Sequence, residues 1–384
     1  MPASGPPTRA AAEPGTAGPG MGDFPAAAAA AAGATASQSI AGSPDPTAGA
    51  QPLLADLLGS DDARRRRALA KTITLFESTR ADHRERADEL LGALLPHAGR
   101  SLRLGLSGVP GVGKSTFIEA LGLFLVGRGH RVAVLAVDPS SSLGGGSILG
   151  DKTRMVRLAA HPGAFIRPSP SAGNLGGVAE KTREAMLACE AAGHDIVIVE
   201  TVGVGQSEVA VAGMTDIFVL LQLPNAGDDL QAIKKGVMEL ADLVVINKAD
   251  LDATAAIRAR AQIVGALRLL GGRGGHGARG HQPDDANAWH TEVLEASARD
   301  GTGLDAFWDA VTRCRQARER SGMLTARRHQ QDQAWMWERI EAGLRQRFRE
   351  HPAVRAALPE LSAQVRAGTL APSVAARRLL DCAD

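Results

Sequence analysis

The glycine-rich run at residues 108–115 constrains the fold more than any other segment. It reads GVPGVGKS and fits G-x-x-x-x-G-K-[ST], the phosphate-binding loop of nucleoside triphosphatases. Its glycines let the backbone curl so that successive N–H groups point at phosphate oxygens, beside the positive end of a helix. Apolar residues at 102–106 predict a strand entering the loop, and helical spacing over 116–129 predicts a helix leaving it. The sequence therefore predicts a nucleotide-binding site.

Two side chains of this loop have specific expected roles. The ammonium of Lys114 would lie between the β- and γ-phosphates, and the hydroxyl of Ser115 would complete the shell of a Mg²⁺ ion. We expect the whole loop to bind the nucleotide, through these residues: Gly108, Val109, Pro110, Gly111, Val112, Gly113, Lys114, Ser115 and Thr116.

Unbroken apolar runs recur through the middle of the chain and alternate with helical patterns. They predict strands at 102–106, 132–137, 196–199, 217–221, 243–246 and 293–294. Strands without polar alternation are buried on both faces, so the predicted fold is α/β, a mostly parallel sheet covered by helices. Three of these strands end next to the polar residues Asp138, Glu200 and Asn247. Ligands bind at the carboxyl ends of parallel strands, so these side chains should converge on the loop.

The segment that begins at Glu200, ETVGVGQ, has the form of a γ-phosphate sensor. The N–H of Gly203 could bind the γ-phosphate, and Glu200 suits an outer-shell contact to Mg²⁺. Gln206 could orient the attacking water, although a structural amide explains it equally well. Asp138 and Asp151 are further candidates for contact with the metal or with water.

The tetrapeptide Asn247-Lys248-Ala249-Asp250 follows a predicted buried strand and has the form N-K-x-D. The carboxylate of Asp250 can accept hydrogen bonds from N1–H and the 2-amino group of guanine, and adenine has no donors arranged in that way. Asn247 and Lys248 would brace the loop and cover the base. Ser297-Ala298-Arg299 resembles a second base loop, whose backbone N–H reaches guanine O6; an ordinary helix-start turn explains this tripeptide equally well. The predicted ligands are therefore GTP and GDP.

Composition excludes several classes of protein. Lys and Arg number 43 against 42 Asp and Glu, and aromatic residues make up 3%, so neither charge nor stacking surface indicates a nucleic-acid partner. No apolar run reaches the ~18 residues that a membrane span needs. Cys189, Cys314 and Cys382 lie far apart, which predicts small apolar fillers in a reducing compartment and neither disulfides nor a zinc site.

Composition also divides the chain into four parts. Residues 1–50 are rich in Ala, Pro and Gly and predict a disordered tail; a single basic residue, Arg9, argues against a mitochondrial presequence, so we expect a cytoplasmic protein. Residues 51–100 predict a helical extension, 101–320 the GTPase domain and 321–384 a helical C-terminal arm. The four arginines at 64–67 predict a solvated helix face rather than a nucleic-acid surface.

Several longer motifs resemble one family. They are VDPSS at 137–141, GGSILGDKTRM at 145–155, FIRPSP at 165–170, ETVGVGQSE at 200–208 and GDDLQAIKKG at 227–236. Together they are similar to the MeaB/MMAA (ArgK-type) G proteins, SIMIBI-type P-loop GTPases that assist adenosylcobalamin-dependent methylmalonyl-CoA mutase. The similarity covers about Leu53 to the C-terminus. In two places the chain departs from the family pattern: Gly144 replaces the usual Thr and Asn225 replaces the usual Gly.

The resemblance implies a homodimer that gates cofactor loading and protects the mutase, with three mobile segments. By position these are about 138–155, 200–208 and 223–235. The third segment, which would signal the nucleotide state to a bound protein, contains four polar residues of interest: Asp228, Asp229, Gln231 and Lys234.

The apolar residues Trp337, Ile340, Leu344 and Phe348 recur at helical spacing in the C-terminal arm. Spacing alone favours a stripe buried in the core, whereas the resemblance implies a dimer contact. Two other functions stay open. A nickel-type metal-insertion GTPase would need a metal tract, of which His276 and His281 near the Gly/Arg-rich insertion at 271–280 are the only hint. A transport-linked ATP-dependent kinase is disfavoured by the N-K-x-D tetrapeptide.

Overall fold

The structure is a computed structural model of the full chain. It describes residues 50–78, 80–137, 155–168, 175–201, 207–224, 235–271 and 289–383. The predicted tail, apart from residue 50, and nearly all of the insertion at 271–280 lie outside these ranges.

Seven parallel strands of the described residues form one sheet in the order β3-β2-β4-β1-β5-β6-β7. The strands are β1 (Leu102–Gly108), β2 (Val132–Val137), β3 (Ala164–Arg167), β4 (Ile196–Thr201), β5 (Ile217–Gln222), β6 (Leu243–Ile246) and β7 (Glu292–Glu295). The predicted α/β fold and its six strands are confirmed. β3, which pairs with β2 at the edge of the sheet, was not predicted. Its apolar run ends at Arg167 and is followed by Pro168 and Pro170, residues typical of a loop.

Helices cover both faces of the sheet. They are α1 (Ala50–Leu58), α2 (Asp62–Glu77), α3 (Ala81–Leu94), α4 (Lys114–Val126), α5 (Val156–Ala160), α6 (Leu175–Ala191), α7 (Ser207–Ala212), α8 (Lys235–Leu240), α9 (Ala253–Gly271), α10 (Leu304–Arg320), α11 (Met323–Glu350), α12 (Pro352–Arg366) and α13 (Pro372–Asp381). On one face α4 and α10 meet through the edge-to-face rings of Phe117 and Phe307, whose centroids are 5.2 Å apart. The N-terminal helices, α6 and α9 contribute to the core on the other face.

The arginine run at 64–67 lies on α2 and is only partly a solvated face. Arg66 donates from Nη1 to the carbonyl of Ala164 at 2.6 Å and from Nη2 to that of Ala159 at 3.3 Å. Arg65 pairs with Asp62 at 3.3 Å. The run therefore ties the N-terminal helices to β3 and to the end of α5, which supports the prediction that it is not a nucleic-acid surface.

Two buried carboxylates attach the C-terminal helices to the amino ends of the central strands. Asp216 precedes β5, accepts a backbone N–H of β1, and binds Arg328 of α11 through Nε at 2.8 Å and Nη2 at 2.6 Å. Asp242 precedes β6, accepts a backbone N–H of β5 at 2.9 Å, and pairs with Arg318 of α10. Breaking such buried pairs by removing one partner typically costs about 3–5 kcal/mol, so this attachment is firm.

Three prolines mark the C-terminal helices. α11 ends at Glu350 just before Pro352, and Pro372 begins α13. Pro359 lies inside α12. It is exposed, so water can satisfy the backbone carbonyl that its missing N–H leaves without a partner.

The three cysteines are free thiols, as predicted. Cys189 and Cys314 are buried, and burial raises the pKa of the Cys314 thiol to about 12, which makes it inert. Among the helices described, we find none with both the length and the apolarity needed to span a bilayer.

Candidate nucleotide-binding site

The loop between β1 and α4 has the backbone geometry that its glycines predict. Gly108, Gly111 and Gly113 have φ angles of 156°, 81° and 91°. A Cβ at Gly108 would lie 2.6 Å from the carbonyl oxygen of Leu221, and one at Gly113 would lie 3.0 Å from Nδ2 of Asn247. Since neither position has room for a side chain, glycine is required at both. The loop ends at the N-terminus of α4, where unpaired backbone N–H groups attract an anion.

The Lys114 side chain lies against this loop. Its Nζ donates to the carbonyl of Gly108 at 2.7 Å, and it is half-buried at the first position of α4. Ser115 and Thr116 follow on the same helix turn, half-buried and exposed respectively. An ammonium and a helix N-terminus thus meet at one point, which is the arrangement that binds polyphosphates.

The N-K-x-D tetrapeptide is bonded to the phosphate loop. Asn247 is 1% exposed; its Nδ2 donates to the carbonyl of Val112 at 2.9 Å, and its Oδ1 accepts from the N–H of Ala298 at 3.1 Å. Lys248 donates to the carbonyl of Gly111 at 2.8 Å. Lys248 also has a φ of 63°, in the left-handed region that costs a non-glycine residue energy. These contacts join three loops into one assembly at the carboxyl edge of the sheet.

The predicted base-reading groups lie at the same edge. Asp250 is exposed, so its carboxylate is accessible to a ligand. Ser297 is buried, and its Oγ accepts from the N–H of Asp300 at 3.2 Å. Ala298 is buried, whereas Arg299 is exposed. The turn is fixed by Gly303, where a Cβ would lie 2.4 Å from a backbone oxygen. Ser297-Ala298-Arg299 therefore forms a defined turn that is hydrogen-bonded to Asn247 through the N–H of Ala298. An ordinary helix start would not need this contact.

Glu200 lies near the end of β4 and is 2% exposed. It pairs in register with Ala136 of β2 and with Leu106, two residues before the phosphate loop. Its neighbour Thr201 donates to the hydroxyl of Ser107 at 2.9 Å, a buried contact that sequence reasoning missed. Ser107 and Thr201 lie near the carboxyl ends of β1 and β4, where ligands bind to parallel sheets. That position in the sequence could have identified both residues.

The oxygen donors of Ser115 and Glu200 fit the ligand chemistry of Mg²⁺. No group of three or more His, Cys, Asp and Glu residues that could hold a metal occurs in the described ranges. Magnesium keeps several waters and binds through substrate phosphates and a few protein oxygens. Ser115 and Glu200, both at the carboxyl edge, can supply a hydroxyl and an outer-shell carboxylate without such a cluster.

Other predicted site residues fall outside the described ranges, and the structure does not test them. These are Asp138, Asp151, Gly203 and Gln206, and in the third segment Asp228, Asp229, Gln231 and Lys234. One residue next to the site was not predicted. Gln222, at the end of β5, is 1% exposed; its carbonyl accepts the N–H of Asn247 at 2.8 Å, while neither side-chain polar atom has a described partner.

Comparison with protein families gives a match over most of the chain. The model for the methylmalonyl-CoA mutase-associated GTPase MeaB matches residues 69–353. That range includes the phosphate loop, the N-K-x-D tetrapeptide and the Ser297 turn.

Curated relatives agree with that match. A probable GTPase of Mycobacterium tuberculosis is 53% identical over 320 residues, which is 83% of this chain and 92% of the relative. The GTPase ArgK of Escherichia coli is 49% identical over 277 residues, 72% of this chain and 80% of the relative. The mitochondrial methylmalonic aciduria type A homolog of Mus musculus is 46% identical over 326 residues, which is 82% of this chain and 76% of the relative.

A solved structure shows the same fold. The crystal structure of a LAO/AO transport system kinase is 37% identical to this chain, with a TM-score of 0.64, and the match covers 87% of this chain and 97% of that one.

Proposed function

This chain belongs to the MeaB family of methylmalonyl-CoA mutase-associated GTPases, and we propose that it is a chaperone that uses GTP hydrolysis to gate cofactor loading of an adenosylcobalamin-dependent mutase. The family and the GTPase activity are shown by the match and by the relatives. The observation that carries the proposal is that the match extends from residue 69 to 353, beyond the GTPase core into the C-terminal arm.

In the proposed mechanism the phosphate loop does most of the catalytic work by position and charge. The glycine backbone and the N-terminus of α4 hold the phosphates, and Lys114 leaves the carbonyl of Gly108 to neutralise charge that develops on the γ-phosphate. The Ser115 hydroxyl and the Glu200 carboxylate would hold Mg²⁺, Glu200 through an outer-shell contact, and the ion would supply positive charge to the phosphates. Asp250 fixes the base, so that the γ-phosphate meets the loop in one register.

The chaperone role requires that hydrolysis depend on a partner. Our proposal assigns the signal to the third segment, where Asp228, Asp229, Gln231 and Lys234 place opposite charges close together in the sequence. Such a segment can exchange salt-bridge partners between nucleotide states and so transmit the presence of the γ-phosphate to a bound protein.

We expect the mutase to accelerate GTP turnover, and Asp228→Ala or Lys234→Ala to abolish that stimulation while leaving basal hydrolysis nearly unchanged. The reason is that these side chains report the nucleotide state rather than bind the nucleotide. The measurement is GTP turnover with and without adenosylcobalamin-dependent methylmalonyl-CoA mutase. Asp309→Ala, which removes an exposed carboxylate from α10, is the matched control and should retain full stimulation.

Absence of both stimulation and a complex on size-exclusion chromatography would remove the chaperone role and leave a GTPase of unknown partner. Stimulation that survives in Asp228→Ala and Lys234→Ala would instead move the signal to another segment.

A second candidate function comes from the name of the solved structure, a transport system kinase. A kinase of that kind would use ATP and a phosphate acceptor. The preference for GTP or ATP separates the two candidates, because the exposed Asp250 carboxylate can accept hydrogen bonds from guanine and not from adenine.

The proposal includes a homodimer formed through α11. This helix has no buried residue, and three residues of its apolar stripe are open to solvent: Trp337, Ile340 and Leu344 are 60%, 40% and 57% exposed. The fourth, Phe348, is half-buried. A stripe of this size is unusual on a monomer and typical of an interface. Spacing alone favoured a core role for these residues, and their exposure supports the alternative.

We expect Trp337→Glu to weaken self-association by about thirtyfold, since tryptophan is a frequent hot spot and a buried charge is costly. Sedimentation equilibrium of the full chain measures the dissociation constant. Ile257→Glu is the matched control, because Ile257 is 61% exposed on α9, away from the stripe. Equal self-association of both variants would place the interface elsewhere.

A further inference from the structure

A cavity of about 560 Å³ lies at the end of the molecule opposite the nucleotide site. Its walls come from the turn after α3, from α6 and from α11, and it reaches the segment that leads into β1. Because β1 runs seven residues from this segment to the phosphate loop, the two sites are about 20 Å apart. The volume is within the range of small-molecule sites, about 300–1,000 Å³.

The wall of the cavity combines an apolar surface with a buried cation. Met186 and Met214 are 2% and 1% exposed, and Leu187 and the ring of Trp335 also line it. Arg183 of α6 is 7% exposed. Most of the rest of the wall is polar and carries both signs of charge: Arg103, Thr325, Arg328, His329, Gln331 and Asp332. Apolar surface beside a few placed polar groups is typical of a ligand pocket.

Arg183 is less well compensated than the other arginines of the wall. Arg103 binds Glu190 through two contacts, at 2.7 and 3.2 Å, and Arg328 binds Asp216. Arg183 has an ion pair with Glu338 at 3.1 Å, and that carboxylate is 56% exposed. Asp332, which also lines the cavity, acts on Arg183 through its charge without forming a salt bridge to it. Its Nη2 contact to the carbonyl of Gly213 is long, at 3.4 Å. Burial lowers the pKa of Arg183, which means that the site favours an added negative charge.

Three buried polar atoms on this wall have no hydrogen-bond partner in the described structure: Nε of Arg183, Nε1 of Trp335 and Oε1 of Gln331. Gln331 and Trp335 are four residues apart on α11, so they lie on one face of that helix. Gln331 is held by its Nε2, which donates to the carbonyl of Thr215 at 2.9 Å. Buried polar groups are nearly always satisfied in proteins, so three in one cavity indicate a polar ligand group.

We propose that this cavity is a second ligand site, which binds a small organic carboxylate with an apolar body. The carboxylate accepts from the two donors, Arg183 Nε and Trp335 Nε1, and the apolar body lies against Met186, Leu187 and Met214. A water or a ligand hydroxyl donates to Gln331. Among the described residues, none of its wall belongs to the nucleotide site, so we expect the carboxylate to bind with or without GTP.

The test uses octanoate as the probe and octanamide, of equal length but neutral, as its control. In the full chain labelled at the tryptophan indole ¹⁵N, the resonance absent from Trp335→Phe identifies Trp335. We expect octanoate to shift this resonance saturably, with or without GTP, and octanamide to shift it much less. A lack of saturable shift up to about 10 mM octanoate, or equal shifts with both probes, would overturn the proposal.

Variants localise the binding. Arg183→Gln should weaken octanoate binding by about tenfold or more, since it removes the charged donor. Arg345→Gln, on the exposed face of α11, should leave the affinity unchanged. If Arg183→Gln does not fold, calorimetry of octanoate binding to Trp335→Phe gives a second measure. This variant keeps an aromatic ring at the position and loses the indole N–H donor. Unchanged affinity in either variant would contradict the site. A Trp335 resonance that moves with protein concentration alone would assign the cavity to a second copy of the chain.

Discussion

GTP turnover by the Lys114→Ala variant is expected to fall by about a thousandfold. GTP carries three to four negative charges at neutral pH. The ammonium of Lys114 lies at the start of the glycine loop, with its Nζ 2.7 Å from the carbonyl of Gly108. Removing it leaves the charge that develops on the γ-phosphate without its nearest cation. Single-turnover hydrolysis of GTP at saturating nucleotide measures the loss in the chemical step itself.

Lys181→Ala is the matched control, because Lys181 lies on α6 and pairs with Glu184 at 3.2 Å, away from the loop. It should hydrolyse GTP at the normal rate. Normal turnover in Lys114→Ala as well would show that the loop is not the active site.

The second large effect concerns the base: ATP should be hydrolysed at least about a hundredfold less efficiently than GTP, measured as kcat/KM. In the proposed site the Asp250 carboxylate would accept two hydrogen bonds from guanine, whereas adenine would bury it without a donor. An unsatisfied buried acceptor costs about 1–3 kcal/mol, and more when it is charged. In Asp250→Asn the preference should move toward xanthosine triphosphate, whose C2 carbonyl accepts a hydrogen bond where guanine donates one.

Asp56→Asn, an exposed carboxylate on α1, should leave the nucleotide preference unchanged. Equal kcat/KM values for ATP and GTP with the native chain would refute the guanine assignment and favour the kinase candidate.

The parts of the fold that could be predicted from the sequence are those encoded locally. The strands at the middle of the sheet, such as β4 and β5, are buried on both faces and begin with unbroken apolar runs. The phosphate loop and N-K-x-D tetrapeptide were recognisable because their chemistry needs fixed residue types at fixed spacing. β3 was missed because its apolar run ends at an arginine and is followed by prolines, which favour a loop.

What could not be predicted depends on residues far apart in the chain. Asp216 and Arg328 are 112 residues apart, and no local pattern indicates that they form a buried pair. The cavity is also assembled from three separate helical segments, so its volume cannot be read from any one of them. For the α11 stripe, spacing indicates an apolar face but not what covers it. Its exposure is a property of the folded chain.

The contacts from Asn247 to the carbonyl of Val112 and from Lys248 to that of Gly111 have a thermodynamic consequence. They hold the base-reading and phosphate-binding groups at a fixed separation before any ligand arrives. The protein therefore does not lose loop entropy at the moment of binding, and more of the interaction energy is expressed as affinity. A fixed separation also selects ligands by length. A ligand whose base and phosphates are spaced like those of a nucleotide contacts the base-reading and phosphate-binding groups together, whereas a shorter or longer ligand contacts only one of them.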